Sequence, residues 1–380
     1  MRVLFTFIGG QGHFEPLVPL ARAAADAGHE VAVACSGGQV VRVEQAGFRA
    51  FGTSVARAVD PAAPSRDLTP LEPCDRHATE VEFAENFADK GARRHATALQ
   101  APMREWRPDV VVRDEADLGS AVAAEVLGLP VATVLVLAAG MLIRPELVAA
   151  PLAALRAEHG LPPDPALTML ARGLVLSPFP PSFRSPASPV PLPGTAVAFR
   201  SGDRVPAAVP VSRRRVYATL GTVFNAESGD LFERLLAGLA GVDADVLVTV
   251  GRNLDPADFG PQPAHVRVER FVPQDEVLTH CDLVVSHGGS GSLMATLAHG
   301  LPSVLLPLGA DQPHNADRAA ELGLARVLDA AAATPDDIRA AVTSALADED
   351  GAARARQMAA EMAAQRPVEE CIALLEDLPA

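Results

Sequence analysis

The chain has 380 residues, of which 49% are hydrophobic and 21% charged, and its net charge is −15. This length exceeds what one hydrophobic core usually holds, so we expect two domains with large cores. The acidic balance, with no block of Lys or Arg, excludes nucleic acid and an anionic membrane as main partners, because both require clustered positive charge.

Cysteine usage and hydropathy narrow the class of protein further. Cys35, Cys74, Cys281 and Cys371 lie far apart and form no CxxC pair, which predicts buried free thiols rather than a zinc site or a disulfide framework. The first residues form a strand-like run with no basic leader, and no segment reaches about 18 consecutive apolar residues. We therefore expect a cytoplasmic protein with no membrane partner.

The N-terminal segment alternates strand, glycine loop and helix. Val3 to Ile8 is an apolar run that ends in Gly9-Gly10-Gln11-Gly12, and Leu17 to Ala27 follows with helical spacing. Glu30 to Ala34 supplies the next strand, which completes a βαβ unit. Such units build parallel sheets that bind ligands at the carboxyl ends of their strands. The loop lacks the GxGxxG order and the later acidic residue of a dinucleotide site, so an oxidoreductase is not indicated.

The second half repeats this order. Arg215 to Leu220 is a strand-like run that ends in Gly221-Thr222, and the helical stretch Gly229 to Leu239 follows. Between the halves, Ser177 to Pro210 is rich in Pro and lacks periodicity, which predicts a linker. The predicted parts are an N-terminal Rossmann-like domain over 1–205, a C-terminal Rossmann-like domain over 211–366, and a terminal helix over 367–380 that packs back on the first domain.

An internal repeat of the same sequence pattern supports two similar halves. Val110 to Asp114 leads through a helix to Gly128-Leu129-Pro130, and Leu283 to His287 leads in the same way to Gly300-Leu301-Pro302. Duplication of one Rossmann-like unit would produce this repeat. The usual alternation of strands and helices in doubly wound proteins would produce it as well. Both interpretations predict two α/β domains that face each other.

Two segments carry few periodic signals. Pro61 to Arg94 and Pro145 to Thr168 scatter single apolar residues among Pro, Asp and Arg. We expect irregular or helical insertions near a binding cleft, because such segments commonly carry specificity.

The strongest candidate site is the turn Ser286-His287-Gly288-Gly289-Ser290-Gly291-Ser292. Glycines let backbone N–H groups approach an anion without a Cβ clash, and the helix that follows adds its dipole. Ser290 and Ser292 add hydroxyl donors, and His287 can donate to a phosphate oxygen. The alternative is a merely flexible turn between a strand and a helix.

Two flanking signals favour a nucleotide-sugar site. Phe271-Val272-Pro273-Gln274 precedes the turn and offers an aromatic ring that can stack on a nucleobase. Asp311 and Gln312, with Asn315 nearby, follow the strand Val304 to Leu308 and suit sugar hydroxyls. Groups for base, phosphate and sugar therefore follow one another along the chain.

At this point a family resemblance is evident. Phe271 to Arg318 resembles the nucleotide-sugar signature of the family 1 glycosyltransferases, and Gly10 to Pro16 resembles their N-terminal acceptor-side loop. The chain is most similar in character to the actinobacterial enzymes that glycosylate antibiotics and other secondary metabolites. The resemblance implies an α/β chain of GT-B architecture, with two Rossmann-like domains whose parallel sheets face a central cleft.

In the first domain the resemblance implies a catalytic dyad. His13, between Gly12 and Phe14 of the acceptor-side loop, is the expected general base, since imidazole titrates in the useful pH range. Asp114 is implied as the carboxylate that orients it and stabilises the imidazolium. Asp117 remains a competitor for that role. Glu115, between the two, is expected to be a solvated charge.

In the second domain the resemblance implies the donor-binding residues. Phe271 would cover the base and Val272 would touch it through the backbone, while Asp311 and Gln312 would hold the sugar. Gly221-Thr222 resembles a second phosphate-side loop. The expected diphosphate-binding residues are His287, Gly289, Ser290, Gly291 and Ser292.

One departure from the family bears on the nucleotide. Plant members carry a Glu for the ribose hydroxyls where this sequence has Ala295, so we expect a dTDP-sugar in preference to a UDP-sugar. The resemblance implies no metal and no cofactor beyond the nucleotide-sugar co-substrate. Asp243-Ala244-Asp245 has the DxD spacing of a metal-binding motif, but it precedes a strand and is expected to be a solvated loop.

The expected function is inverting transfer of a sugar or deoxysugar from a dTDP- or UDP-sugar to a hydroxyl of a small secondary-metabolite aglycone. A homodimer is compatible with this function. The alternatives are a non-catalytic partner subunit, a nucleotide-sugar epimerase, and a lipid glycosyltransferase on the same fold. The presence of His13, Asp114, His287 and Gly289 argues against an inactive subunit. The sequence shows no apolar, basic patch of the kind that the lipid enzyme requires.

Overall fold

A computed structural model describes residues 1–55, 68–202, 213–221, 228–252 and 254–378. Within them the chain divides into two compact units. The first takes in the described parts of Met1–Asp60, His77–Asp203 and Gln365–Ala380, and the second takes in those of Pro61–Arg76 and Arg204–Ala364. Thr222, one of the expected phosphate-side residues, lies outside the described residues.

Short strands alternate with helices along most of the chain. The strands are β1 Arg2–Thr6, β2 Glu30–Cys35, β3 Arg49–Gly52, β4 Val110–Asp114, β5 Val131–Val134, β6 Leu174–Ser177, β7 Val197–Arg200, β8 Arg215–Thr219, β9 Asp245–Thr249, β10 Val266–Glu269, β11 Leu283–Ser286, β12 Ser303–Leu305, β13 Ala325–Val327 and β14 Arg366–Pro367.

The helices follow the strands as crossover connections. They are α1 Gln11–Phe14, α2 Val18–Asp26, α3 Val40–Gln45, α4 Arg76–Phe83, α5 Ala92–Trp106, α6 Leu118–Val126, α7 Pro145–Glu158, α8 Leu231–Leu239, α9 Gln274–Leu278, α10 Ser290–Ala298, α11 Gln312–Glu321, α12 Pro335–Leu346, α13 Glu349–Ala364 and α14 Glu370–Glu376. A π-helical segment, Ala84–Gly91, joins α4 to α5.

The sheet of the first unit is parallel throughout the described residues, with the strand order β14-β7-β6-β5-β4-β1-β2-β3. Its central strands are apolar on both faces because helices cover both sides, so β1 is Val-Leu-Phe rich and every residue of β4 is buried. The order reverses between β1 and β4, where Val3 pairs with Val110 and Thr6 with Arg113.

The sheet of the second unit is also parallel in the described residues, with the order β10-β9-β8-β11-β12-β13. Its six strands therefore repeat the order of β3-β2-β1-β4-β5-β6 in the first sheet, which is the order of a dinucleotide-binding Rossmann fold. The reversal falls between β8 and β11, where Leu283 pairs with Val216 and Ser286 with Thr219. The prediction of two α/β units with parallel sheets is confirmed.

The C-terminal helix α14 packs within the first unit. Cys371, Ile372 and Leu375 are buried in the same core as Leu17 and Leu20, which lie at the start of α2 and just before it. The preceding residues form β14, which pairs with β7 at the edge of the sheet. The last part of the chain therefore completes the first sheet and covers one of its faces.

The structure differs from the predicted linker and boundary. The segment predicted as an aperiodic linker, Ser177 to Pro210, contains β7, which pairs with both β6 and β14. The strand β7 has four residues among many prolines, which is too short to show a strand pattern in the sequence. Its pairing with the two neighbouring strands identifies it as a strand. Residues 68–76 belong to the second unit, not to the first, because Leu71 packs against the core around β8 and α8.

The two predicted insertions contain substantial helix. In Pro61 to Arg94, the described residues from Arg76 onward form α4, the π-helical segment and the start of α5. In Pro145 to Thr168, α7 extends to Glu158. None of the described helices combines the length and the hydropathy needed to cross a bilayer.

The packing of α14 generates a stability prediction. Leu375 is 1% exposed and lies in the core of the first unit, so Leu375→Ala should lower the free energy of unfolding by roughly 2–5 kcal/mol. Urea unfolding followed by circular dichroism measures this loss. Ala373→Ser, at an exposed position of the same helix, is the matched control and should change stability by less than about 0.5 kcal/mol. Equal effects of the two substitutions would contradict the packing of α14.

Candidate functional site

Each unit places its candidate residues at the point where its strand order reverses. In the first unit His13 follows β1 and Asp114 ends β4, and these two strands are neighbours. In the second unit Gly221 follows β8 and His287 follows β11, which are also neighbours. Loops diverge at such a reversal and leave a crevice at the carboxyl ends of the strands, where open α/β sheets bind ligands.

The imidazole of His13 lies against the buried carboxylate of Asp114. Nδ1 of His13 is 3.3 Å from Oδ2 of Asp114, and the side chains are 20% and 0% exposed. Gly9 makes this position of the ring available, because its φ of +104° suits glycine and a Cβ there would lie 2.6 Å from Cδ2 of His13. The histidine therefore keeps one edge toward a fixed acceptor while part of the ring reaches the surface of the unit.

The carboxylate of Asp114 is held by the backbone around it. Its Oδ1 accepts from the amides of Ala116 and Asp117, and its Oδ2 accepts from the amide of Ile8 at 3.2 Å. Ile8 lies just beyond β1, so the carboxylate joins the two strands on either side of the reversal. These bonds fix the orientation of Asp114 independently of His13.

Asp117, the competing carboxylate, pairs with a different histidine. Its Oδ1 lies 2.8 Å from Nδ1 of His95, a buried residue of α5, and also accepts from the amide of Ser120 as the N-cap of α6. Burial raises the pKa of Asp117, but the charge and hydrogen bond of His95 outweigh it, so the pKa lies below its usual range. The geometry therefore gives Asp114 to His13 and Asp117 to His95.

The prediction that Glu115 is a solvated charge is wrong. Its side chain is buried, its Oε2 accepts from the amides of Val136 and Leu137 at 3.1 Å, and its Oε1 lies 3.5 Å from Nη1 of Arg184. The fold brings the loop after β5 and a distant arginine onto this carboxylate. Proximity in sequence to a cleft loop could not indicate those partners.

Arg113 is a second buried charge at the end of β4. Its guanidinium donates to the carbonyl oxygens of Asp114, Glu115 and Leu170 at 3.1, 3.0 and 2.8 Å. Burial lowers the pKa of Arg113, and the neighbouring carboxylates oppose that shift. Because Arg113 donates to backbone carbonyls and the carboxylates of Asp114 and Glu115 accept from backbone amides, the array can remain charged in a low-dielectric interior.

The two flanking residues of the acceptor-side loop differ in environment. The ring of Phe14 is 2% exposed and stacks on Phe7 in the core, with ring centroids 5.1 Å apart, so it supports the loop from below. A Cβ placed on Gly12 would meet no atom within 4 Å. The face of His13 is instead covered by Phe87 of the π-helical segment, a contact that sequence patterns did not indicate.

In the second unit the imidazole of His287 lies between two glycines. A Cβ on Gly221 would be 2.6 Å from Cε1 of His287, and a Cβ on Gly289 would be 2.6 Å from its Nε2. Gly221 also has a φ of +79°, which favours glycine. Burial lowers the pKa of His287 to about 4, so its ring is neutral near pH 7 and can donate one hydrogen bond without carrying charge.

Polar side chains join the start of α10 to the start of α11. Oγ of Ser290 lies 2.5 Å from Oδ2 of Asp311, and Nδ2 of Asn315 donates to the same carboxylate oxygen at 2.7 Å and to the carbonyl of Gly288 at 3.0 Å. Gln312 is buried, and its Oε1 accepts from the amides of the loop before α11. Asn315 thus links Asp311 to the glycine turn, and the backbone carbonyl of Gln312 lies beside Gly288 of the same turn.

The predicted base-stacking residue is exposed at the end of β10. The ring of Phe271 is 47% exposed, and the guanidinium of Arg252 lies over it, 4.0 Å from the centroid. Arg252 follows the neighbouring strand β9 and was not indicated by sequence patterns. Val272 and Ala295 are partly buried, and each packs against the same hydrophobic cluster of the second unit. Position 295 carries no carboxylate.

The hydroxyl of Ser292 and the DxD-like pair have partners within their own unit. Nε2 of Gln274 donates to Oγ of Ser292 at 3.1 Å. The side chain of Asp243 is fully exposed and that of Asp245 about half exposed, in agreement with a solvated loop, and Arg213 donates to the two carboxylates at 3.1 and 2.9 Å. In the described part of the chain, no group of three or more His, Cys, Asp or Glu side chains is disposed to hold a metal ion.

Comparisons with known proteins extend over both units. Residues 233–378 match the family described as erythromycin biosynthesis protein CIII-like, C-terminal domain. The chain is similar to L-demethylnoviosyl transferase of Streptomyces niveus, with 30% identity over 85% of this chain and 84% of the relative. It is similar to tylactone mycaminosyltransferase of Streptomyces fradiae, with 29% identity over 100% and 93%. Among solved structures, glycosyltransferase VinC in complex with dTDP is 26% identical, covers 99% of both chains and has a TM-score of 0.76.

The lowered pKa of the partly buried His287 generates a prediction of pH-dependent stability. The pKa of His287 is about 4 in the folded chain and about 6.5 in the unfolded chain. Between these two pH values the histidine is protonated mainly in the unfolded chain, so acidification stabilises the unfolded state. Between pH 7 and 5.5 this should lower the free energy of unfolding by about 1 kcal/mol. Ordinary carboxylates stay ionised in that window.

Thermal unfolding of the unmodified chain and of His287→Gln at pH 7 and 5.5 measures this difference. The substitution should reduce the acid-induced loss of Tm, whatever its effect on the absolute Tm. His280→Gln, which removes an exposed histidine, is the control and should leave the loss unchanged. A loss that is the same in all three proteins would contradict the neutral, buried state of His287.

Proposed function

The chain belongs to the family 1 glycosyltransferases of GT-B fold that serve antibiotic biosynthesis, and we propose that it moves a sugar from a nucleotide diphosphate to a hydroxyl of a small natural-product aglycone. Its assignment as a glycosyltransferase rests on the shared family. The predicted membership of the chain in that family is thereby confirmed. The donor, the base and the stereochemistry are inferences from this chain's own residues.

The observation that carries the proposal is the pair His13 and Asp114. An alcohol or phenol must lose its proton as it attacks, and a neutral imidazole can accept that proton. Asp114 faces Nδ1 at 3.3 Å, so the acceptor hydroxyl would give its proton to Nε2, on the far side of the ring. The carboxylate would fix the tautomer and stabilise the imidazolium that forms. Catalytic hydrogen bonds are often longer in an unliganded enzyme than in the reacting complex.

The glycine turn of the second unit supports the donor assignment. The start of α10 directs backbone N–H groups and the helix dipole outward, and the glycines at its start leave room for diphosphate oxygens. A neutral His287 would donate a hydrogen bond to the diphosphate rather than compete as a cation. The negative charge that develops on the leaving diphosphate would be stabilised there.

The environment of Ala295 supports a deoxyribose nucleotide. Ala295 packs against the same hydrophobic cluster as Val272, which follows Phe271 in the chain, and brings no carboxylate for a 2′-hydroxyl. We therefore propose dTDP as the preferred nucleotide, and the structure of the similar glycosyltransferase VinC in complex with dTDP is consistent with this proposal. The proposal requires no metal and no cofactor other than the nucleotide sugar.

We further propose that the transfer inverts the anomeric centre. A single base at His13 suits one displacement, in which the acceptor oxygen forms its bond to the anomeric carbon while the bond to the diphosphate oxygen breaks and its electron pair leaves with the nucleotide. The proton of the acceptor hydroxyl ends on His13. Product stereochemistry, read by NMR from the coupling at the anomeric proton, tests this step.

Removal of the base generates the first functional prediction. His13→Ala should lower kcat by roughly 10²–10⁴-fold, because proton abstraction no longer assists attack. Donor nucleotide binding, measured by calorimetry, should remain unchanged, since His13 belongs to the acceptor side. Asp114→Asn should lower kcat as well, because the amide can no longer stabilise the imidazolium. His280→Ala is the control for an exposed histidine. Full turnover by His13→Ala would exclude this residue as the base.

The nucleotide preference generates the second prediction. A thermal-shift series should show stabilisation by dTDP that exceeds stabilisation by UDP, and none by NAD, because a ligand that binds only the folded chain raises Tm with its affinity. Ala295→Glu should shift the preference toward UDP by supplying an acceptor for the 2′-hydroxyl. Ala298→Glu, a partly exposed position of the same helix, is the control. An absence of any nucleotide effect would overturn the donor site.

A further inference from the structure

Three rings form a stacked column that ends on His13. Phe83 and Phe87 lie with ring centroids 4.7 Å apart and planes 8° from parallel, and Phe87 and His13 follow at 5.3 Å and 24°. Phe83 is 5% exposed, whereas Phe87 and His13 are partly exposed. One end of the column is therefore anchored in the core of the first unit, and the other end is the proposed base.

The helical segments that carry the two phenylalanines bring their rings to this contact. Phe83 ends α4, and Phe87 lies in the π-helical segment Ala84–Gly91, whose Ala84 and Ala88 are buried. Residues four apart lie on one helix face, so the two rings stack along the helix. A π-helical segment re-aims the side chains it carries, and such segments are frequent at functional sites. Phe87 is thus directed at the loop after β1.

Several charged groups on the elements around His13 have partners of their own. From β4, Asp114 faces Nδ1. On the acceptor-side loop, Glu15 accepts from Gln11 at 3.2 Å. On the π-helical segment and the start of α5, Glu85 pairs with Lys90, Asp89 with Arg93, and Arg93 with Glu158 of α7, while His95 pairs with Asp117. Asp114 and the face of Phe87 lie directly against the ring of His13.

We propose that Phe87 is a positioning residue that stabilises the protonated form of His13 through its aromatic face. This inference rests on the proposed role of His13 as the base. The face of an aromatic ring carries partial negative charge and attracts a cation above it. As His13 takes the acceptor proton on Nε2, its ring becomes an imidazolium stacked on Phe87 and paired with Asp114. The column thus supports the charge that transfer creates.

The substitution Phe87→Leu distinguishes stabilisation of the imidazolium from simple packing. Phe87→Leu retains apolar cover over one face of His13 and so retains most of the desolvation, but it removes the aromatic face. A cation–π contact at a partly exposed site contributes about half a pH unit to the pKa of the cation. Phe87→Leu should therefore lower the pKa of His13 by about half a unit and reduce kcat by roughly two- to five-fold.

The experiment measures the pKa of His13 directly in the full-length chain. The Cε1–Hε1 resonances of the histidines are titrated by NMR, and the His13 signal is assigned by its disappearance in His13→Asn. The same proteins then give kcat/KM as a function of pH, whose acidic limb reports the base in the free enzyme. Phe87→Trp should keep or raise the pKa of His13 measured by NMR and the pKa of the acidic limb of kcat/KM, because indole binds cations better than phenyl. Phe83→Leu, one ring further from His13, should leave these two pKa values near those of the unmodified chain.

The outcomes distinguish this proposal from the proposed function. A lowered pKa in Phe87→Leu, restored in Phe87→Trp, supports the role of Phe87. An unchanged or raised pKa in Phe87→Leu overturns it, and if that variant does not fold, Phe87→Met makes the same comparison. An active His13→Asn protein would instead overturn the base assignment. A pKa difference between the Phe87 variants would then still describe the ring contact, but it would have no role in transfer.

Discussion

The parallel pairing of two strands that are distant in sequence is the constraint on which both candidate sites depend. β1 pairs with β4, and β8 pairs with β11, so that in each sheet the order reverses at this pair. Connections leave the two strands toward opposite sides, and the space between them cannot be covered by a crossover helix. The loop after each strand therefore ends beside the loop of its neighbour. This brings His13 to Asp114 and His287 to Gly221.

The two sites use electrostatics in opposite ways. At the end of β4 the first unit buries Arg113, Asp114 and Glu115 as charges, and each is held by backbone groups or by an opposite charge. Such a network is held in one arrangement, because the loss of one partner would leave the other charge unpaired in a low-dielectric interior. The second unit instead keeps His287 neutral by burial and supplies N–H groups from a helix start. One arrangement suits a proton acceptor, and the other suits an anion that arrives with the substrate.

Some contacts of the candidate site residues come from elements outside the two sheets. The helices from Arg76 to Trp106 bring Phe87 to His13, and the loop after β9 brings Arg252 over Phe271. These elements are connected to the sheets but are not part of their hydrogen-bonding. They can therefore vary in sequence without disturbing the strand order, as loops of α/β folds commonly do.

The sequence by itself determined the local elements and the chemical types at their ends. Apolar runs followed by glycine turns and helices predicted the βαβ units, and the turn around His287 predicted an anion site, because backbone geometry and periodicity are properties of neighbouring residues. Tertiary structure decided the partners. It gave Asp114 rather than Asp117 to His13, buried Glu115 against Arg184, and stacked Phe87 on His13. Each of these contacts joins residues far apart in sequence, and only strand pairing and helix packing bring them together.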